Sequence, residues 1–255
     1  MMTDLTGKHA LVTGGGSGIG AAIAFALAQA GAAVTICGRG LPDLEFTAER
    51  HGAIHPEAAD VTDEASIGRL YKKAQKAHGK FDIVVANAGT AESAPAEKVT
   101  HKLWSKMLDV NLTGAFLSVQ PALAGMREKK WGRIIFIAST AGLKGYPYAA
   151  PYVAAKHGVV GLSRALATET AKEGITANAV CPGFTETSLL DRAVDRIATT
   201  TKRSEADTRK LLEKGNPQGR FIQPQEVADV VLWLCGEGSA AITGQAISVS
   251  GGATW

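Results

Sequence analysis

Short apolar runs, separated by longer segments of helical spacing, recur along the whole chain. Lys8–Thr13 and Ala33–Gly38 are the first two runs. Ala53–Ala59 is a weaker third, interrupted by Pro56 and ending at Asp60-Val61. Asp82–Ala86, Gly132–Ser139, Ile175–Cys181 and Ala246–Ser250 continue the series. Runs this short and this apolar predict strands. The intervening stretches predict helices: an alanine-rich one ending at Ala30, then Leu41–His51, Thr62–His78, a long region that contains Asn111 and breaks at Pro121, Tyr152–Glu173, and Pro224–Cys235. Pro224 suits the first position of its helix, where a missing N–H costs nothing. Strand and helix alternating in this way predict an α/β fold: a parallel sheet with helices on both faces.

Ser188–Gly215 breaks the rhythm. It is long and polar, and it lies between a strand and the next sheet-covering helix. Insertions at the carboxyl edge of a parallel sheet are often lids over the ligand crevice, so the segment reads as a substrate lid. The plainer alternative is a solvated pair of amphipathic helices. Arg192, Arg196, Lys202, Arg203, Arg209 and Lys210 supply cations suited to the phosphates of a thioester carrier, although five carboxylates lie among them. Thr199–Thr201 and Gly215 read as flexible points.

Composition narrows the function. A net charge of +3 over 255 residues, with no lysine–arginine run, gives no basis for nucleic-acid binding. No apolar stretch is long enough to span a bilayer. Met1–Lys8 is short and polar, without the apolar core of a secretory signal. Cys37, Cys181 and Cys235 show no metal spacing and read as reduced core residues, which suits a cytoplasmic protein with no metal.

Two stretches carry chemistry. Gly14-Gly15-Gly16-Ser17-Gly18-Ile19-Gly20 joins a strand to a helix, the setting of a dinucleotide turn: glycines admit the pyrophosphate and the helix N-terminus supplies donors. The next strand ends in Gly38-Arg39 rather than in an acid. A guanidinium can pair with a 2′-phosphate, which favours NADP over NAD. In the second stretch Tyr152 and Lys156 stand four apart, on one helix face, and Ser139 ends a strand. A nearby ammonium is expected to lower the phenol's pKa, so that it exchanges a proton with a carbonyl or alcohol oxygen. Ser139 can donate to the same oxygen.

Thr13-Gly14-x-x-x-Gly18-Ile19-Gly20, Asp60, Asn87-Ala88-Gly89, Asn111, Ser139, Tyr152-x-x-x-Lys156 and Pro182-Gly183, in this order and spacing, resemble the short-chain dehydrogenase/reductase family over nearly the whole chain. The resemblance implies a single Rossmann-type doubly wound domain over residues 1–255, a nicotinamide cofactor and a homo-oligomer, tetramer or dimer. It also implies roles. The Gly14–Gly20 turn, with Gly16, Ser17, Gly18 and Ile19, holds the pyrophosphate. Asp60 and Val61 meet the adenine, while Asn87, Ala88 and Gly89 lie beside the ribose. Asn111 supports a water relay to Lys156. Ser139 and Tyr152 bind the reacting oxygen, and Lys156 also binds the nicotinamide ribose. Pro182, Gly183 and Thr187 match nicotinamide-side positions. Within the family the chain is most similar to bacterial 3-oxoacyl-thioester and polyketide ketoreductases. Hydride transfer between NADP(H) and a carbonyl or secondary alcohol is therefore the expected activity. An NAD-dependent 3-hydroxyacid or hydroxyacyl-thioester dehydrogenase is the first alternative. A non-catalytic dinucleotide-binding module is the remote one.

Overall fold

The computed structural model describes residues 3–254; Met1 and Met2 of the polar amino-terminal stretch, and Trp255, lie outside the described residues. The strands are β1 (His9–Thr13), β2 (Ala33–Gly38), β3 (Ile54–Ala58), β4 (Ile83–Ala86), β5 (Gly132–Ile137), β6 (Ile175–Pro182) and β7 (Ala246–Val249). The helices are α1 (Gly18–Gln29), α2 (Leu41–Ala48), α3 (Glu64–His78), α4 (His101–Leu108), α5 (Gly114–Val119), α6 (Leu123–Lys129), α7 (Ala150–Thr170), α8 (Ser188–Thr201), α9 (Glu205–Glu213) and α10 (Pro224–Cys235). Among the described residues no helix is long and apolar enough to cross a membrane.

The strands form one parallel sheet in the order β3-β2-β1-β4-β5-β6-β7. Successive strand residues point to opposite faces, and the sequence fills both. Leu11, Val84, Ile134, Phe136, Ala177 and Ala179 face a core closed by α3, α5, α6 and α7. Ala10, Val12, Val85, Ile135 and Val180 face a second core closed by α1, α2 and α10. This is the parallel sheet with helices on both faces that the apolar runs predict. The three cysteines are buried and free.

Several boundaries differ from the sequence reading. Pro56 does not interrupt its strand: β3 is a sheet edge that pairs only with β2, and an edge strand tolerates a residue without an N–H. The helix carrying Tyr152 begins two residues earlier, with Pro151 in its first turn. The break at Pro121 is a single 3₁₀ turn, Gln120–Ala122. A second irregularity has no proline or glycine at its centre. Residues Asp109–Thr113 form a π turn between α4 and α5, with Asn111 in the middle.

Ser188–Gly215 folds as α8 and α9, packed on each other and around a small apolar cluster of Leu190, Val194 and Phe221, separate from the two sheet cores. The Thr199–Thr201 run is not a break, because α8 continues through it and Thr201 Oγ1 donates to Ile197 O at 2.7 Å. The chain turns instead at Lys202, whose φ of 54° is left-handed.

Candidate active site

β1 and β4 are neighbours at the centre of the sheet, and the chain leaves them toward opposite faces, which opens a crevice at their carboxyl ends. Thr13 and Asn87, the residues at these two strand ends, fasten the crevice walls together. Thr13 Oγ1 accepts from Asn87 N at 3.0 Å and Ala88 N at 2.9 Å. Asn87 Nδ2 donates back to Thr13 O at 2.8 Å and Gly14 O at 3.2 Å. This contact explains two glycines. A Cβ on Gly20 would lie 2.2 Å from Gly14 O, and one on Gly14, at φ +66°, would lie 2.9 Å from Asn87 Nδ2. No side chain fits at either position.

The crevice has a volume of about 510 Å³. Its walls bring together Gly14, Ser17, Gly18, Ile19, Gly20, Asn87, Ala88, Gly89, Asn111, Ser139, Tyr152, Lys156, Pro182, Gly183 and Thr187. Gly16, Arg39, Asp60 and Val61 lie outside it. Gly16 packs against α2, where a Cβ would meet Asp43 at 3.0 Å. Asp60 accepts from Thr62 N at 2.9 Å and Thr62 Oγ1 at 2.7 Å, and these bonds, followed by the nearby Arg39 charge, hold its carboxyl below the usual range. Val61 is buried, against Gly114 at the start of α5. Arg39 is exposed at the end of β2 and makes no ion pair among the described residues.

Ser139 follows β5, and its Oγ accepts from Ala141 N at 3.1 Å. Lys156 is 4% exposed. Its Nζ donates to Ile137 O at 2.8 Å and lies 5.7 Å from the Tyr152 ring centre. Burial dominates both titrations. It pushes the Lys156 ammonium down to about 8. It raises the Tyr152 phenol above its ordinary value, against a smaller opposite pull from the Ser139 hydroxyl. The expectation that Lys156 lowers the Tyr152 pKa is therefore corrected: loss of hydration sets the direction, and the downward pull comes from Ser139 rather than from the lysine. Asn111 is also buried, and its side chain is bound to backbone. Nδ2 donates to Met107 O and Thr90 O, both at 2.9 Å, and Oδ1 accepts from Thr90 N at 3.2 Å. It holds the segment after Gly89 against the π turn.

The residues suit a dinucleotide. The first turn of α1 has no acidic side chain, and Ser17 makes no capping bond, so the positive helix end and its N–H groups are available to an anion. The far end of the crevice was not legible as a site. Tyr146, whose hydroxyl bonds Thr140 Oγ1 at 2.8 Å, lies there with Phe184 and the inner face of α8. Only the position of the insertion after β6 hinted at it.

The sequence pattern of the short chain dehydrogenases matches residues 8–197. The chain belongs to the short-chain dehydrogenase family. It is an oxidoreductase, and similarity to other family members extends over its whole length. It is 42% identical over 249 residues to a protein named as a ketoacyl reductase of the granaticin polyketide synthase of Streptomyces violaceoruber, covering 95% of this chain and 92% of the relative. It is 37% identical to a D-beta-hydroxybutyrate dehydrogenase of Rhizobium meliloti (strain 1021), covering 97% and 98%. Among solved short-chain dehydrogenase structures, a variant of actinorhodin polyketide ketoreductase with NADPH superposes with a TM-score of 0.94 at 38% identity, covering 99% of both chains.

Proposed function

We propose that the protein is an NADPH-dependent ketoreductase that reduces the carbonyl of a 3-oxoacyl or related ketone to a secondary alcohol. One observation carries the reading: Ser139, Tyr152 and Lys156 converge in a single crevice beside the glycine turn, with no member of the set displaced. A non-catalytic dinucleotide module would not need that convergence. Arg39 supports NADP, because its exposed guanidinium makes no ion pair among the described residues and can meet a 2′-phosphate. The similar NADPH complex supports it too. Bound NADPH supplies the hydride. Gly14, Gly18 and Gly20 admit its diphosphate to the start of α1. Ser139 orients the substrate oxygen, and Tyr152 donates the proton to it. The raised phenol pKa keeps that proton in place through neutral pH, which suits reduction better than oxidation. Lys156 supplies a buried positive charge beside the phenol, and Asn111 positions the segment around it.

The same reading takes α8 and α9 as the substrate lid. Their separate cluster leaves them weakly tied to the sheet, so NADPH is expected to slow their cleavage in limited proteolysis. We further propose a cytoplasmic homo-oligomer; the exposed apolar side chains of Trp104, Phe116 and Trp233 support association, which light scattering tests. The activity itself is tested by following NADPH consumption with 3-oxoacyl thioesters, cyclic diketones and 3-oxo acids. Turnover only of 3-hydroxybutyrate with NAD would refute the ketoreductase reading and favour the hydroxyacid dehydrogenase.

A further inference from the structure

The lid helix α8 presents a face to the crevice that the reduction chemistry above does not use. Leu189, Ala193 and Ile197, spaced by four residues, line the cleft as an apolar strip, and Arg192 and Arg196 line it beside them. The other sides of α8 are accounted for: Leu190, Val194 and Ala198 are buried under it, and Asp191 and Asp195 are exposed. Arg192 is exposed and Arg196 half-buried, and neither makes a hydrogen bond or an ion pair among the described residues. Other arginines nearby are already held: Arg209 by Glu186 and Asp191, Arg220 by Glu226. The one carboxylate on the cleft wall, Glu92, is paired with Lys106 from outside at 2.5 Å. Two guanidiniums one helical turn apart repel each other and weaken the helix unless an anion joins them. Among the described residues neither guanidinium is paired with a carboxylate, Asp191 and Asp195 of the same helix included, and the crevice is where an anion would come from.

We propose that Arg192 and Arg196 together receive an anionic group of the ketone substrate, a carboxylate or a phosphate, while the substrate's apolar part lies along Leu189, Ala193 and Ile197. This rests on the ketoreductase reading and deepens it, because it makes the natural substrate an acid or a phosphate-bearing thioester rather than a neutral ketone. It also moves the anion site from the outer cations: Lys202, Arg203 and Lys210 are exposed, off the cleft wall, and Arg209 is occupied. An arginine pair fits planar or tetrahedral oxyanions by bidentate bonds, which lysine cannot reproduce.

The test compares three substrates that share one reacting group: acetoacetate, acetoacetyl-coenzyme A, and the uncharged acetoacetyl-N-acetylcysteamine. In the Arg192→Gln/Arg196→Gln double variant the KM for the anionic substrate is expected to rise roughly 10- to 100-fold, with kcat little changed. The uncharged thioester should change by less than about twofold, and NADPH affinity, read from its fluorescence, should hold. Which anionic substrate responds tells carboxylate from phosphate. Lysine at both positions should restore only part of the affinity. Equal loss on all three substrates, no loss on any, or weakened NADPH binding in its place would overturn the proposal; the last would assign the pair to the cofactor. If the unmodified protein reduces none of the three, the ketoreductase reading has failed. Calorimetric titration of coenzyme A and of acetoacetate into the protein with NADP⁺ then decides the anion site by itself. Binding that the double variant loses supports the site, and binding that is absent or unchanged overturns it.

Discussion

Lys156→Met should make the protein more stable while removing its activity. The ammonium is buried with a single hydrogen bond, to Ile137 O, and its pKa falls from 10.5 to about 8. At 1.36 kcal/mol per unit, holding that charge in the fold costs roughly 3 kcal/mol at neutral pH. Methionine keeps an unbranched stem of similar length and has no charge. It leaves the Ile137 carbonyl without its donor, at a cost of about 1–3 kcal/mol. The net expectation is a gain of about 0–2 kcal/mol, or up to roughly 8 °C in Tm for a chain of this size. The sign depends on pH in a defined way. The folded pKa is the lower one, so between about pH 8 and 10.5 the unfolded chain holds more protons than the native one. Wild-type stability gains from this group as pH rises through that window. The advantage of the variant should therefore be largest at pH 7 and vanish, or reverse, by about pH 10.5. Urea titrations of both proteins at a series of pH values measure this directly. A variant less stable than wild type at pH 7, or a difference independent of pH, would refute the reasoning.

Four further outcomes are expected. Tyr152→Phe should keep NADPH affinity and lower kcat by roughly 10²- to 10⁴-fold in single-turnover assays, since only the proton donor is lost. Gly38→Asp with Arg39→Gln should shift kcat/KM from NADPH toward NADH by roughly 10- to 150-fold, the worth of one charge-assisted phosphate contact. Thr13→Val should cost about 1–3 kcal/mol in urea unfolding and weaken NADPH binding, because the half-buried Asn87 and Ala88 N–H groups both lose their acceptor. His9 is buried and its pKa is pushed down to about 4, so wild-type stability should fall as pH drops from about 6.5 to 4, by up to roughly 3 kcal/mol from this residue; His9→Gln should flatten that part of the urea-midpoint profile.

The sheet was legible because parallel strands with two buried faces leave continuous apolar runs, and each run lies within two residues of the strand observed. The glycine turn and the Tyr152–Lys156 spacing were legible for a similar reason: both are local, and spacing fixes which residues meet. What failed depends on neighbours distant in sequence. Pro56 reads as a breaker until β3 is known to be an edge. The π turn at Asn111 has no local breaker, and the side-chain bonds that accompany it reach Thr90, on another segment. The six basic residues of the insertion look alike in sequence; only the packing of α8 on its cluster turns Arg192 and Arg196 inward and leaves Lys202 and Lys210 outside.

The pKa of Tyr152 is the most informative of these differences. In water a tyrosine and a lysine titrate within about half a unit of each other. Burial moves them apart, the phenol upward and the ammonium down to about 8. Both shifts disfavour charge, yet they have opposite consequences for the reaction. The phenol retains its proton across the physiological range, so a carbonyl oxygen always finds a donor. The lysine keeps its charge at neutral pH and loses it first as pH rises. A pair exposed on a helix surface would also hold both protons at neutral pH, but it would lose them together near pH 10. Placement in the crevice, rather than the four-residue spacing alone, is thus what separates the two titrations. It also accounts for the stability cost of Lys156: in the mechanism proposed above, the buried charge is held in a fold that would gain by losing it, because proton transfer at Tyr152 draws on it.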